Sequence, residues 1–283
     1  VTGAGTGRCA CPDKAADRHV GACLAVTTGS AVVGFLDAGN WSACFGLSYR
    51  DLCIYDAFHE QRMARSGPGE LRALTGSGGI PANRNKVARG FLENTQGEWL
   101  FFIDSDMGFA ADTLDRLIAS ADPTARPVMG GLCFAGVRDK AGSAATPLYA
   151  ERFKIIPTVY EYIETGDEIG FRPIPDYPRD QVMEVAGTGA ACLLIHRSVL
   201  ETVRATAGDC WFDPITHPTA LKGKPRTFSE DLSFCVRLAS CGIPVHVNTA
   251  VKTTHEKGMA FLDEGAFDQQ LALARLDREL EAV

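Results

Sequence analysis

No run of apolar residues in this 283-residue chain approaches the roughly 18–20 that a helix needs to cross a bilayer, so no membrane span is expected. Positive charge is scarce as well: 28 Lys and Arg stand against 35 Asp and Glu, a net charge of −7 with a pI near 5.4. A general binder of nucleic acid or of anionic membrane carries a basic field, so that class is disfavoured, although a local basic patch is not excluded. The first residues, "VTGAGTGRCACPDKAADRHV", lack the charged-then-apolar order of a signal peptide, and a cytoplasmic protein is the expectation. Internal repeats are absent, and past the first thirty residues neither a low-complexity segment nor a linker divides the chain, which predicts one domain. Hydrophobic residues at 46% against 22% charged leave enough apolar surface for a sizeable core, so wholesale disorder is excluded.

Cysteine is abundant, with ten in the chain, but a chain of this size needs no disulfide staples. Cys133, Cys192 and Cys235 each sit among apolar residues and read as small buried hydrophobes with reduced thiols. Residues 1–30 are rich in Gly, Ala and Thr and read as a flexible leader. Its "GAGTG" imitates a dinucleotide loop but follows no strand. Within it, Cys9, Cys11, His19 and Cys23 could form a Cys3His zinc site, at a spacing that matches no established pattern.

From residue 31 the pattern becomes regular. "AVVGFLDAG" (31–39) reads as a buried strand ending in a loop, and 41–65 as a helix with Phe45, Leu52, Tyr55 and Phe58 near helical spacing. "SGPGE" breaks that helix, "LRALTG" (71–76) is a short strand, and "ANRNKVARGFLENTQG" (82–97) is a helix closed by Asn94 and Gly97. Strand "EWLFFID" (98–104), helix "AADTLDRLIASAD" (110–122) and strand "RPVMGGLCFAG" (126–136) follow. Such alternation predicts a mainly parallel sheet with helices on both faces. Beyond it, 158–174 reads as a hairpin turning at Gly166 and Asp167, and 181–204 as a strand, a glycine break, an apolar strand and a helix. "SEDLSFCVRLASCGI" (229–243) is a helix with Ser229 as N-cap and Glu230 and Asp231 in its first turn. A late strand covers 245–255, and an amphipathic helix over 261–280 puts Phe267, Leu271, Ala274 and Leu276 toward one side.

The loudest local signal is "WLFFIDSDMGF" (99–109), five apolar residues followed by Asp104 and Asp106 with only Ser105 between them. Ligands of parallel α/β sheets sit beyond the carboxyl ends of the strands, and residues two apart in an extended chain point the same way. Two such carboxylates repel unless a cation compensates, and Mg²⁺ or Mn²⁺ with oxygen ligands stays open to phosphate oxygens. The plainer reading is a loop in which Asp106 caps the helix after Gly108.

"FFIDSDMGF", with "NRNKVARGFLENTQGEWL" before it and "FSEDLSFCVRLASCGIPVHV" after it, resembles the nucleotide-sugar-dependent glycosyltransferases of the GT-A fold, most closely the family 2 type, including glycosyltransferase-like proteins of actinobacterial phages. The resemblance covers residues 31–260, with 261–283 as a helix packed on or extending the domain. It implies a Rossmann-like, mixed and mainly parallel sheet flanked by helices, and a chain in the host cytoplasm if phage-encoded. It implies that Asp104 and Asp106 form the D-x-D element, with Asp106 on the metal and Asp104 on the ribose or a metal-bound water. His255 in "KTTHEKG" would complete the metal shell, although a lone His is also a common core or surface residue. Asn83, Arg84 and Lys86, opening a helix after a glycine-rich loop, would meet the diphosphate or its sugar, or for Lys86 simply form a solvated helix start. Asp231 would be the base that takes the acceptor proton, with Glu230 beside it; the alternative is a helix start that favours acids. Gly187, Thr188 and Gly189 would let the backbone pass close to the sugar, or else mark a bulge.

The expected activity is therefore transfer of a sugar from a UDP- or GDP-linked donor to an acceptor hydroxyl, dependent on Mn²⁺ or Mg²⁺ and inverting. The Q-x-x-R-W element of processive synthases is missing, which favours single transfers. A nucleotidyltransferase is the rival enzyme, but the stretch after the first strand, "LDAGNWSACFG", lacks the basic residue such enzymes place there. A non-catalytic module binding sugar nucleotides or glycans is the third reading. The acceptor (protein, glycan or modified DNA base) is not specified. Tyr160, Tyr162, Phe171, Tyr177 and Trp211 are candidates for an aromatic platform, or for core packing.

Overall fold

A computed structural model describes residues 29–63, 69–74, 78–138, 153–166, 168–220, 224–258 and 260–281. The leader with Cys9, Cys11, His19 and Cys23, and Asp167 of the hairpin turn, lie outside the described residues.

The described residues open with Ala31–Asp37 (β1), Ala43–Phe58 (α1), Glu70–Leu74 (β2), Gly79–Asn94 (α2), Trp99–Ile103 (β3), Met107–Phe109 (β4), Thr113–Ser120 (α3) and Val128–Leu132 (β5). Phe134–Arg138 (β6), Phe153–Pro157 (β7), Val159–Glu164 (β8), Ile169–Pro173 (β9), Val182–Val185 (β10), Gly187–Thr188 (β11) and Cys192–His196 (β12) follow. Arg197–Ala207 (α4), Glu230–Ser240 (α5), Val245–Lys257 (β13), Ala260–Leu262 (β14) and Glu264–Glu281 (α6) complete it.

The main sheet has the order β10-β13-β5-β12-β3-β1-β2, with β4 and β14 both paired to β13. β1, β2, β3, β5 and β13 run the same way, because β12 is antiparallel to both β3 and β5; β10 and β12 oppose them. The molecule is thus a mixed α/β fold with a largely parallel central sheet, as the alternation predicted.

β3 shows how the sequence sorts its core. Leu100 and Phe102 face one layer with Val87 and Phe91 of α2, Leu200 of α4 and Phe234 of α5. Trp99, Phe101 and Ile103 face the other, with Phe45 and Leu52 of α1 and Leu114 and Leu117 of α3. The period of two along a strand buried on both faces produces this division. Each fully buried large side chain contributes about 1.5–3 kcal/mol. Gly34 in β1 lets α2 approach: a Cβ there would stand 2.6 Å from a methyl of Val87.

Several expectations need correction. Phe58 is 83% exposed, and the buried face of α1 runs through Phe45, Tyr49 and Leu52. The C-terminal helix starts at Glu264, since Ala260–Leu262 pairs with β13 as β14. On that helix Phe267 is buried but Leu276 is 54% exposed, so the apolar side is held only near its start. Gln270 secures it there, accepting from the Ile155 amide of β7 at 2.7 Å and donating to the Ile155 carbonyl at 3.0 Å. Of the aromatics left between a platform and core packing, Trp211 and Tyr177 belong to the core, Trp211 donating its indole N–H to the Leu200 carbonyl at 2.8 Å. Cys133, Cys192 and Cys235 are buried free thiols. Among the described residues no helix is long and apolar enough to cross a membrane.

Candidate active site

At the carboxyl end of β3 the strand stops at Ile103 and a turn follows, closed by the Met107 amide on the Asp104 carbonyl at 3.0 Å. Asp104 and Asp106 therefore do not continue an extended chain with parallel side chains. The turn sends each to a different set of partners.

Asp104 meets Arg84. The guanidinium, 2% exposed at the head of α2, donates Nη2 to the Asp104 carboxylate at 3.1–3.2 Å and Nη1 to the Ala190 carbonyl at 3.3 Å. Its Nε stands 3.5 Å from Oδ1 of Asp231, in the first turn of α5. The rings of Phe102 and Phe212 lie 5.7 and 5.9 Å from its centre. Arg84 thus joins Asp104, in the turn after β3, and Asp231, in α5, through one delocalised cation. Burial raises the Asp231 carboxyl above the usual range, the Arg84 charge opposes it, and Glu230 adds to the rise. Asp104 is likewise raised, with burial the larger effect and Arg84 pulling down.

Asp106 meets β13. Its Oδ2 accepts from Lys257 Nζ at 2.7 Å and faces His255 Nε2 at 3.2 Å. Burial alone would raise this carboxyl, but His255 and Lys257 outweigh it and hold it at about 2. The other ring nitrogen of His255 lies 2.9 Å from the Phe134 carbonyl, which can only accept, so Nδ1 carries a proton. Nε2 then faces a carboxylate oxygen, an arrangement that is attractive only with positive charge on or between them. A carbonyl-anchored imidazole beside a carboxylate suits a divalent cation held by Asp106 and His255. Among the described residues no group of three or more His, Cys, Asp or Glu is gathered for a metal. The expected trio of Asp104, Asp106 and His255 is divided because Arg84 takes Asp104.

A cleft of about 720 Å³ is lined in part by Asn40, Trp41, Ser42, Arg84, Asp104, Asp106 and Lys257, with His255 and Asp231 reaching it through Asp106 and Arg84. That size lies within the range of small-molecule and cofactor sites. Trp41 is 41% exposed and sits edge-on to Phe45 at 5.2 Å. Ser42 caps α1, its Oγ accepting from the Phe45 amide at 3.1 Å, while its own amide donates to the Ser105 carbonyl at 3.0 Å. The Glu256 carboxylate accepts from the Cys44 amide at the same helix end at 3.3 Å.

The remaining expected residues fall around this centre. Asn83 is buried and its amide donates to the Gly79 carbonyl at 2.7 Å, while Lys86 is exposed and donates to Asn83 at 3.3 Å. Gly187 is packed so that a Cβ would stand 2.7 Å from the Phe171 ring. A Cβ on Gly189 would lie 3.7 Å from the Asp231 carboxylate. Thr188 is buried with its hydroxyl lacking a hydrogen-bond partner among the described residues. Ser229 stands at the N-cap of α5 without a side-chain cap bond. Trp41, Glu256 and Lys257 were not singled out from sequence. The signal was present for the last two, which directly follow His255, and for Trp41 as an aromatic in the loop after the first strand.

No family model matches the chain, and no curated protein matches it. Among solved structures, the crystal structure of A197 from STIV is similar, at 15% identity and a TM-score of 0.42, over 80% of this chain and 85% of that one. A likeness so distant carries no argument about the site.

Proposed function

We propose that this chain is a metal-dependent glycosyltransferase of the GT-A type, moving a sugar from a nucleoside-diphosphate donor to an acceptor hydroxyl with inversion. The observation that carries the reading is the convergence, at the carboxyl end of β3, of two distinct charge centres beside one cleft: Asp106 with His255 and Lys257, and Asp104 with Arg84 and Asp231. The first suits a cation and the anionic half of a donor. The second presents a carboxylate that can take a proton.

Asp106 and His255 would hold Mn²⁺ or Mg²⁺, which when bound stabilises negative charge on the departing diphosphate. Trp41 and Asn40, which also line the cleft, would meet the nucleoside. Asp231 would accept the proton of the attacking hydroxyl, and the rise imposed by burial makes its carboxylate a stronger base than an exposed Asp. Arg84 would fix the orientation of Asp231 and Asp104 rather than contact the diphosphate directly.

The test is a thermal-shift and turnover screen of UDP- and GDP-linked sugars with Mn²⁺. Donor hydrolysis or transfer is expected, abolished by Asp106→Ala together with donor binding, and by Asp231→Asn with donor binding intact. Failure of every nucleoside diphosphate to bind with metal would sink the proposal. Full activity in Asp231→Asn would assign the base elsewhere.

A further inference from the structure

Lys257 sits at the tip of the hairpin formed by β13 and β14, where Gly258 turns the chain at φ +62°. Its ammonium lies 2.7 Å from the one Asp106 oxygen that also faces His255. Any divalent cation bound by Asp106 and His255 would need that ground. Inner-shell coordination requires direct contact with the carboxylate oxygen, and an ammonium at the same oxygen would repel the metal at short range. Lys257 can leave: its side chain is 45% exposed on a flexible stem. The cleft that Lys257 lines also contains Arg84, but that cation is buried and committed to Asp104, so it has no comparable freedom.

We infer that Lys257 is a tethered counter-ion, which occupies Asp106 until a divalent cation displaces it and then turns its ammonium to the diphosphate in the adjoining cleft. The second half of this exchange rests on the transferase reading above; the first rests on Asp106, His255 and Lys257 alone. Because the displaced ammonium gains a partner only when a diphosphate is present, cation and donor each strengthen the binding of the other.

Calorimetric titration of the whole protein with Mn²⁺, alone and with saturating UDP or GDP, tests the exchange. Wild type is expected to bind Mn²⁺ weakly alone and more tightly with one of the nucleotides. In Lys257→Met, Mn²⁺ alone should bind up to about fivefold more tightly, as expected for removal of one exposed ion pair, and the enhancement by nucleotide should shrink. Lys257→Arg, which keeps the charge, should not show the tightening. Asp106→Asn should lose Mn²⁺ binding. Unchanged or weaker Mn²⁺ binding in a Lys257→Met protein with native circular dichroism would overturn the inference. If neither nucleotide alters Mn²⁺ binding in either protein while the tightening persists, the transferase reading falls and the counter-ion role stands.

Discussion

Arg84 stands between Asp104 and Asp231 with almost no contact with water, and this placement sets what its loss should do. Removing one partner of a buried ionic cluster leaves uncompensated charge, so Arg84→Met is expected to cost about 3 kcal/mol of stability, read by urea unfolding. Arg84→Lys should recover little, because one ammonium cannot serve two carboxylates and the Ala190 carbonyl in a planar fork. A loss below about 1 kcal/mol would mean that water or protons compensate the carboxylates instead. The sequence displayed each acid in a telling context, at a strand end or a helix start. It did not display that Arg84 connects them, since that contact exists only once β3, α2 and α5 have packed.

At the scale of elements, α1 is tied to the site through its cap. Ser42 accepts from the Phe45 amide with its hydroxyl and donates its own amide to Ser105, in the turn between the two acids. Ser42→Ala should lower stability by about 1 kcal/mol in chemical unfolding, the usual effect of losing an N-cap acceptor. An unchanged midpoint would show that the Glu256 carboxylate, already at that helix end, satisfies the freed amide. Elements that carry their own pattern were legible: the buried strands, the hairpin of β8 and β9, and the helix that opens with Glu230 and Asp231. β4, β7 and β14 were not. β4 and β14 are three residues long and exist because β13 offers an edge to pair with, while β7 is held by β6. The apolar residues late in α6 misled for the converse reason, since a helical pattern does not reveal where its packing partner ends.

Over the whole molecule, the acids near the cleft give stability an opposed dependence on pH. Asp106, held at about 2 against roughly 3.9 in an unfolded chain, contributes stability that is fully present above about pH 4 and is lost as pH falls toward 2. Asp104 and Asp231 act in the other sense. Burial raises both, so the folded state favours their protonated forms, and their cost grows as pH rises from about 4 through their folded values. Asp231→Asn should therefore raise the Tm at pH 7 and leave it nearly unchanged at pH 3. A lower Tm at pH 7, measured by calorimetry, would mean that attraction to Arg84 outweighs burial. The path of β13 gives the molecule one more property. Its first half lies between β5 and β10, the register then shifts between Asn248 and Lys252, and its second half is paired with the three-residue strands β4 and β14. Those short strands supply Met107 and Leu262, which are buried in opposite core layers, so the segment bearing His255 and Lys257 stays fastened to both layers after it has left the central sheet.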